Sequence, residues 1–301
     1  MIHEFAVEPE VMATWEHFNV LWDDFGVSCG RLLVEFPGSW RKQVIALADQ
    51  RSKPVRANSI KSKVCDQGLR LAKLVGADGR QPDGSDWQAS AVRQQCGSKP
   101  FRAVIASSNF CERADVLVAG EFERDAEPWK VPRQDSACLR TREEMVRRIN
   151  TLLHHSEQLK LVDRNFDPCE PRFSGPFEAF VGVRSCWKRL EVHAALPLHY
   201  SQHVIQANYR RALELAVPTG TTLQVFLWPG LPEGDRMHPR FVLTERGGVY
   251  FDYGLDEGQS PFETTLVTLL EHEVFIRQWE DFSESGTKFG KPERVIVQGR
   301  G

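Results

Sequence analysis

The sequence has 301 residues, of which 41% are hydrophobic and 26% are charged, and its formal net charge is −3. This length fits two domains of ordinary size, and the composition excludes an intrinsically disordered chain. No apolar run is long enough to cross a bilayer, and the first residues lack the basic start and apolar core of a secretory signal. The seven cysteines are scattered and form no Cys-x-x-Cys pair, which argues against structural zinc and a disulfide framework. We therefore expect a cytoplasmic protein with reduced thiols, no metal site and no cofactor.

The net charge conceals an asymmetry between two segments. From Arg41 to Arg102 there are 13 Lys or Arg residues against 5 Asp or Glu, whereas from Thr221 to Asp281 there are 4 against 11. A basic segment can attract the phosphate backbone of a nucleic acid, so we predict nucleic-acid contacts here. The alternative is that these charges form a solvated face or neutralise the acidic half of the chain. The seven cations assigned to the predicted surface are Arg41, Lys42, Arg51, Lys53, Arg56, Lys61 and Lys63.

In the first half of the chain, the spacing of apolar residues predicts both helices and strands. Residues 8–26 carry apolar side chains three or four positions apart, which indicates one amphipathic helix that ends at Gly26. Strand-like runs follow at 30–40, 101–108 and 114–122, with a further helix between the first two. These elements predict a small α+β domain over residues 1–130, of undefined topology and function.

Residues 131–156 are predicted to form a linker and a connecting helix. The chain around residues 127–137 is rich in proline and polar residues, a composition typical of linkers. The run 139–156 then places apolar residues at helical spacing.

From residue 157 to the end, the pattern is that of an α/β domain. Short apolar runs at 159–163, 189–196, 221–229, 241–245 and 248–254 predict strands, and helices are predicted between the first three. The run 262–282 predicts a long closing helix. The order β-α-β-α-β-β-β-α indicates a mostly parallel sheet with helices on both faces. Ligands of such sheets bind beyond the carboxyl ends of the strands, and Asp163 and His193 lie at or near such ends.

One motif in this half carries residues suited to phosphoryl chemistry. His238, Arg240 and Glu245 stand in the spacing His-x-Arg-x4-Glu, after one predicted strand and before a predicted β-hairpin. Further along the chain, a glycine stands in the run Tyr253-Gly254-Leu255-Asp256. The arrangement resembles the His-x-Lys-x4-Asp signature of the phospholipase D superfamily, and the likeness covers residues 157–282.

The resemblance implies a mechanism for these residues. In that family a neutral histidine attacks a phosphodiester to give a phosphohistidine, which water then resolves. A cation two residues later stabilises charge at phosphorus, and a second histidine protonates the leaving group. The resemblance therefore makes His238 the nucleophile, Arg240 the phosphate-binding cation and Glu245 the supporting acid. Because the chain has no second copy of the motif, such an enzyme would need a homodimer or an unusual acid such as His193.

The sequence also departs from the signature. Arg240 replaces Lys and Glu245 replaces Asp, while Leu255 and Asp256 stand where the family carries Ser and Asn. Degenerate domains of this fold serve in the family as non-catalytic binding modules. Two predictions follow from this resemblance, and they belong to different functional classes.

The leading prediction is a metal-independent nuclease that acts on a phosphodiester through His238, with DNA as the expected nucleic acid. In general composition the chain resembles bacterial accessory proteins of DNA-processing or phage-defence systems. The alternative is a non-catalytic adaptor that binds nucleic acid or a partner protein within a larger complex. A third reading, a lipid-headgroup binder, is weakened by the acidic C-terminal half, which an anionic membrane would repel, so no membrane contact is expected.

Overall fold

A computed structural model of the chain describes residues 1–66, 73–84, 86–197, 201–230, 237–286 and 288–301. The chain divides after Pro132 into an N-terminal unit, Ile2–Pro132, and a C-terminal unit, Arg133–Gly301. Each unit has its own sheet and its own hydrophobic core. Across the described ranges, no helix combines the length and the apolar character that a bilayer span requires.

The N-terminal unit is built on one five-stranded sheet. Its strands are β1 (His3–Val7), β2 (Arg31–Val34), β3 (Leu74–Val75), β4 (Ala103–Ala106) and β5 (Val116–Val118). They follow the order β3-β2-β1-β4-β5, and all of these pairs are parallel. The α-helices are α1 (Pro9–Ala13), α2 (Trp15–Leu21), α3 (Trp40–Arg51), α4 (Pro54–Cys65) and α5 (Trp87–Gln94).

Parallel strands connected through helices make this unit α/β, which corrects the α+β fold predicted for it. The predicted strands near 30–40, 101–108 and 114–122 correspond to β2, β4 and β5, while the central strand β1 was not predicted. The single helix predicted over residues 8–26 is interrupted at Thr14, whose φ of −89° and ψ of 118° are extended. The Thr14 hydroxyl donates to the carbonyl of Glu10 at 2.9 Å, an alternative to continued helical bonding.

The C-terminal unit contains an eight-stranded mixed sheet. Its strands are β6 (Gln134–Leu139), β7 (Gln158–Asp163), β8 (Arg189–Ala195), β9 (Thr222–Trp228), β10 (Arg240–Thr244), β11 (Gly247–Phe251), β12 (Thr264–Leu269) and β13 (Glu293–Gln298). The order is β13-β9-β8-β7-β10-β11-β12-β6; β7, β8 and β9 are parallel, and the other pairs are antiparallel. The helices are α6 (Arg142–His154), α7 (Pro171–Val181), α8 (Gln202–Leu213) and α9 (His272–Asp281).

Helices cover both faces of this sheet. Val162 of β7 packs in a core cluster with Phe275 of α9. Its neighbour Leu161 points to the opposite face, where it lines a small apolar cavity with Phe173 and Phe177 of α7. The α/β class with helices on both faces is therefore confirmed, but the sheet is mixed and not mostly parallel, because only β7-β8 and β8-β9 are parallel among its pairs.

Three segments of the C-terminal unit differ from the predicted elements. The predicted linker contains β6, which pairs with β12 at the edge of the sheet, whereas the connecting helix predicted after it is present as α6. The long helix predicted over 262–282 is a strand at Thr264–Leu269, where alternate residues are buried, and a helix only over His272–Asp281. The edge strand β13 was not predicted.

Candidate functional site

His238 and Arg240 lie where β10 begins, beside the carboxyl end of β7. The antiparallel register pairs Arg240 with Asp163, the last residue of β7. Side chains directly opposite each other in antiparallel strands lie on the same face, so Arg240 and Asp163 share a face of the sheet. The parallel strands β7, β8 and β9 end at this same edge, which is where α/β sheets bind their ligands.

Two arginines and an exposed histidine lie at this edge, and we call Arg164, His238 and Arg240 the arginine–histidine cluster. Arg164 Nη1 donates to His238 Nδ1 at 3.3 Å. Arg240 Nη1 contacts the carbonyl oxygen of Asp252 at 3.4 Å, and its buried Nε has no hydrogen-bond partner among the described residues. Within the same ranges, neither arginine forms an ion pair with a carboxylate. The cluster therefore presents positive charge with no carboxylate at ion-pair distance in the described ranges, although the buried Asp163 opposite Arg240 interacts with it electrostatically.

The contact between Arg164 and His238 selects one tautomer of the neutral imidazole. Because a guanidinium group only donates, His238 Nδ1 must accept, and the proton of the neutral ring then lies on Nε2. Attack on phosphorus by Nε2 would require this proton to move to Nδ1, which faces a cation instead of an acceptor. The observed geometry therefore offers hydrogen-bond donors to an anion, and it does not prepare His238 as a nucleophile.

The buried carboxylate of Asp163 fixes the backbone beneath the cluster. Asp163 Oδ1 accepts from the backbone N–H of Asn165 and Oδ2 from that of Leu255, both at 2.9 Å. Burial raises the pKa of this carboxyl group, while these two hydrogen bonds favour its ionised form. Asp163 thereby holds the downstream Tyr253–Asp256 run against the end of β7.

This downstream run is fixed by glycine and by ion pairs. Gly254 has a φ of 139°, and a Cβ there would lie 2.4 Å from Asp256 Oδ1, so only glycine fits. The buried carboxylate of Asp256 bridges two arginines, with Arg140 Nη2 at 3.0 Å and Arg172 Nη2 at 3.2 Å. Tyr253, in contrast, is 62% exposed.

Glu245, the third residue of the motif, lies at the opposite end of β10 from Arg240. The register places Thr244 opposite Leu159, near the start of β7. There the two oxygens of Glu245 each accept a 2.9 Å hydrogen bond, from the backbone N–H groups of Glu157 and Gln158. The structure therefore gives Glu245 a role in holding the start of β7 and does not bring it to the cluster.

His193, the proposed unusual acid, is fully buried on the other face of the sheet. It pairs in register with Val162, whose side chain points away from the face of Asp163. Its Nδ1 accepts from Trp228 Nε1 at 3.2 Å, and its Nε2 lies 3.3 Å from Glu191 Oε2. Burial lowers the pKa of His193 to about 4, so the ring is neutral at neutral pH. The structure does not bring His193 to the arginine–histidine cluster.

Glu191 is the centre of a buried charge network around His193. Lys160 Nζ lies 3.5 Å from Glu191 Oε2, and Arg189 Nε lies 2.6 Å from Oε1. Burial raises the pKa of Glu191, but the hydrogen bond from His193 and the charges of Lys160 and Arg189 outweigh it and lower the pKa to about 2. Burial also lowers the pKa of Lys160 to about 8. Lys160, Glu191 and His193 are buried in the core of the C-terminal unit, whereas the side chain of Arg189 is 39% exposed.

The seven cations predicted to contact nucleic acid lie on or beside α3 and α4 of the N-terminal unit. Three of them form ion pairs: Arg41 with Glu35, Arg56 with Glu16 and Lys61 with Asp49. Lys63 lies over the ring of Phe18, 5.8 Å from its centroid. Of the seven, Lys42, Arg51 and Lys53 have exposed side chains that form no ion pair in the described ranges.

Arg164 is not among the site residues predicted from the sequence, although its position in the chain indicated it. It directly follows the last residue of β7, and residues just beyond the carboxyl ends of parallel strands form the ligand sites of α/β sheets. Elsewhere in the described ranges, no group of three or more His, Cys, Asp or Glu side chains is arranged to hold a metal ion.

Comparison with known proteins adds little to this description. No protein-family model and no curated protein matches the chain. Among solved structures, the chain is similar over 52% of its length to 52% of TrmBL2, an archaeal chromatin protein with a novel mode of DNA binding. The identity is 13% and the TM-score is 0.26, values too low to support an argument about fold or function. The resemblance to the phospholipase D superfamily therefore stays a prediction.

Proposed function

We propose that the C-terminal unit binds the phosphodiester backbone of a nucleic acid at the arginine–histidine cluster, without cleaving it. The observation that supports this is the placement of Arg164, Arg240 and the exposed donor His238 at the carboxyl edge of the sheet, with neither arginine ion-paired in the described ranges. Guanidinium forks match the geometry of phosphate oxygens and can bind them through two parallel hydrogen bonds.

The openness of the cluster favours a polymer over a small phosphate ester. His238, Asp252, Tyr253 and Arg172 are all exposed, so a phosphate bound here would stay solvated on its outer side. Small-molecule sites instead enclose most of the ligand surface. A nucleic-acid backbone needs only a surface with cations at its phosphates, and DNA is the form that we test first.

Two observations support binding without cleavage: the tautomer of the His238 imidazole, and the position of His193, the acid considered from the sequence, away from the cluster. The contact with Arg164 places the proton of the neutral His238 ring on Nε2, and His193 lies in the core on the other face of the sheet. The non-catalytic adaptor is thus the better supported of the two functions considered from the sequence.

The test is fluorescence anisotropy of labelled DNA with the full chain and with the variants Arg164→Gln and Arg240→Gln. Each substitution removes one charge-assisted contact to phosphate, so we expect each to weaken binding by roughly tenfold. Each should also reduce the slope of log affinity against log salt by about 0.7 to 0.9. The matched control is Arg294→Gln on β13, which removes an exposed, paired cation from an edge strand. Equal weakening by the control would show a general effect of net charge and would contradict the proposed site.

Cleavage is tested separately with labelled DNA and RNA in the presence of EDTA. We expect the intact chain to leave these substrates uncut. Cleavage by the wild type that disappears in His238→Ala would replace the binding function with the metal-independent nuclease.

A further inference from the structure

We infer that the nucleic acid bound at the cluster is single-stranded, with one unpaired base stacked on the ring of Tyr253. This inference rests on the proposed phosphate binding and names the class of nucleic acid that the same site selects.

Tyr253 is an exposed aromatic residue directly beside the cluster. Its side chain is 62% exposed, which is unusual for a ring on an otherwise buried run, since Gly254, Leu255 and Asp256 are all buried. The carbonyl of Asp252, which forms the peptide bond to Tyr253, contacts Arg240 Nη1 at 3.4 Å. A phosphate held by Arg240 and a base on Tyr253 would therefore belong to the same short stretch of strand.

The ring of Tyr253 is supported from one side. The guanidinium carbon of Arg140 lies 5.6 Å from the ring centroid, a distance typical of a cation–π contact. Arg140 is itself fixed by Asp256 at 3.0 Å and by Glu263 at 2.9 Å. Arg140 therefore limits the ring's movement, and the exposed remainder of the ring stays available to a ligand.

The backbone of Tyr253 is equally fixed. Its N–H donates to Oγ1 of the buried Thr265 at 3.3 Å. The next residue is Gly254, whose positive φ and close neighbours exclude any side chain. A ring fixed before binding loses little conformational entropy when a base stacks on it, which favours affinity.

An aromatic ring next to unpaired cations fits a single strand better than a duplex. In a duplex both faces of each base are covered by neighbouring bases, so a protein ring can stack on a base only after unstacking it. In a single strand the base faces are accessible, and proteins that bind such strands combine aromatic platforms with cationic contacts to the backbone. The cluster and Tyr253 present these two components together.

The experiment measures binding of the full chain to three labelled probes at one salt concentration. The probes are oligothymidylate of about 12 nucleotides, the same backbone without bases, and a duplex of about the same length. Loss of one stacked base corresponds to roughly a 5- to 150-fold change in affinity. We expect Tyr253→Ala to weaken binding of oligothymidylate by a factor in this range and to leave binding of the abasic strand unchanged. Tyr253→Phe, which keeps the ring, should bind all three probes like the wild type.

The matched control is Phe110→Ala, which removes an aromatic ring that is 84% exposed and belongs to the N-terminal unit. If Tyr253→Ala and Phe110→Ala behave alike, or if the wild type prefers the duplex, the single-strand inference is overturned while phosphate binding at the cluster stands. If the wild type binds none of the probes, the proposed function fails together with the inference. Circular dichroism of each variant establishes that it is folded.

Discussion

The buried imidazole of His193 makes the stability of the C-terminal unit depend on pH. Its pKa is about 4 in the folded protein, against a reference value of 6.5. The unfolded chain therefore takes up a proton first as the pH falls, and the free energy of unfolding decreases from pH 6.5 towards pH 4. The full shift would correspond to about 3 kcal/mol, since one pKa unit is worth about 1.4 kcal/mol.

The variant His193→Gln tests this dependence, because an amide can accept from Trp228 and donate to Glu191 but does not titrate. Urea unfolding at pH values from about 4 to 7 should show a smaller decrease in stability for the variant than for the wild type. Identical pH profiles would mean that other groups, such as Glu191, cause the loss. The substitution His193→Gln should leave DNA affinity at neutral pH unchanged, because His193 lies on the face opposite the cluster.

At the level of single residues, the sequence placed His238 and Arg240 before a predicted hairpin, and the structure has them where β10 begins. It could not show that Arg164 joins them, because that contact depends on the antiparallel register of β10 against β7. It also could not separate Glu245 from the other two motif residues. The spacing of five positions between Arg240 and Glu245 is the length of β10 itself, which takes them to opposite ends of one strand.

At the level of elements, Glu245 holds the end of β10 to the start of β7. Its carboxylate accepts two backbone hydrogen bonds at the start of β7. Hydrogen bonds to a charged group contribute about 1.5 to 3 kcal/mol each, and partial exposure of this side chain places the expected loss at the lower end. We expect Glu245→Ala to lower the free energy of unfolding by about 1 to 3 kcal/mol in urea titrations, without changing the DNA affinity of the folded protein.

If Glu245→Ala instead unfolds like the wild type but no longer binds nucleic acid, Glu245 takes part in binding and this prediction is wrong. Glu245→Gln is the informative second variant. Its amide keeps one acceptor oxygen for the two N–H groups, so its stability should lie between that of the wild type and that of Glu245→Ala.

The predicted and observed elements agree where the apolar residues follow one clear periodicity. They differ where a strand pattern and a helix pattern adjoin. The strands β7, β8 and β9 are largely apolar and buried on both faces, and the polar residues Lys160, Glu191 and His193 within them pair with one another. The segment Thr264–Leu269 was predicted as helix because it leads without a break into a helical pattern, yet its Thr and Val residues favour a strand. The edge strand β13 buries only two residues, Val295 and Val297, so its sequence carries a weak signal. The central strand β1 is five residues long and lies at the start of the chain.

At the level of the whole molecule, the charge asymmetry of the sequence is partly neutralised within each unit. In the N-terminal unit, Arg41, Arg56 and Lys61 are paired with acids that precede or lie between the basic residues in sequence. Lys42 and Arg51 are nine positions apart on α3, which at about 100° per residue places them about 180° apart around the helix. The composition of residues 41–102 therefore overstates the positive charge that one face can offer.

This consideration gives a prediction for the salt dependence of binding by the full chain and by its C-terminal unit. If Arg164 and Arg240 are the cations that contact phosphates, log affinity for a single strand should fall with log salt at a slope of about −1.4, since each contact contributes about −0.7. We expect the fragment 133–301, which has its own sheet and core, to unfold cooperatively and to show the same slope as the full chain.

A steeper slope for the full chain would assign phosphate contacts to the N-terminal unit, with about −0.7 for each cation engaged. A triple variant of the full chain then distinguishes specific contacts from a general effect of charge. It carries the substitutions Lys42→Gln, Arg51→Gln and Lys53→Gln. Specific contacts would restore the slope of the fragment, whereas diffuse attraction would leave most of the difference in place. The same measurements thus decide whether the basic N-terminal segment takes part in binding or only balances the acidic residues around it.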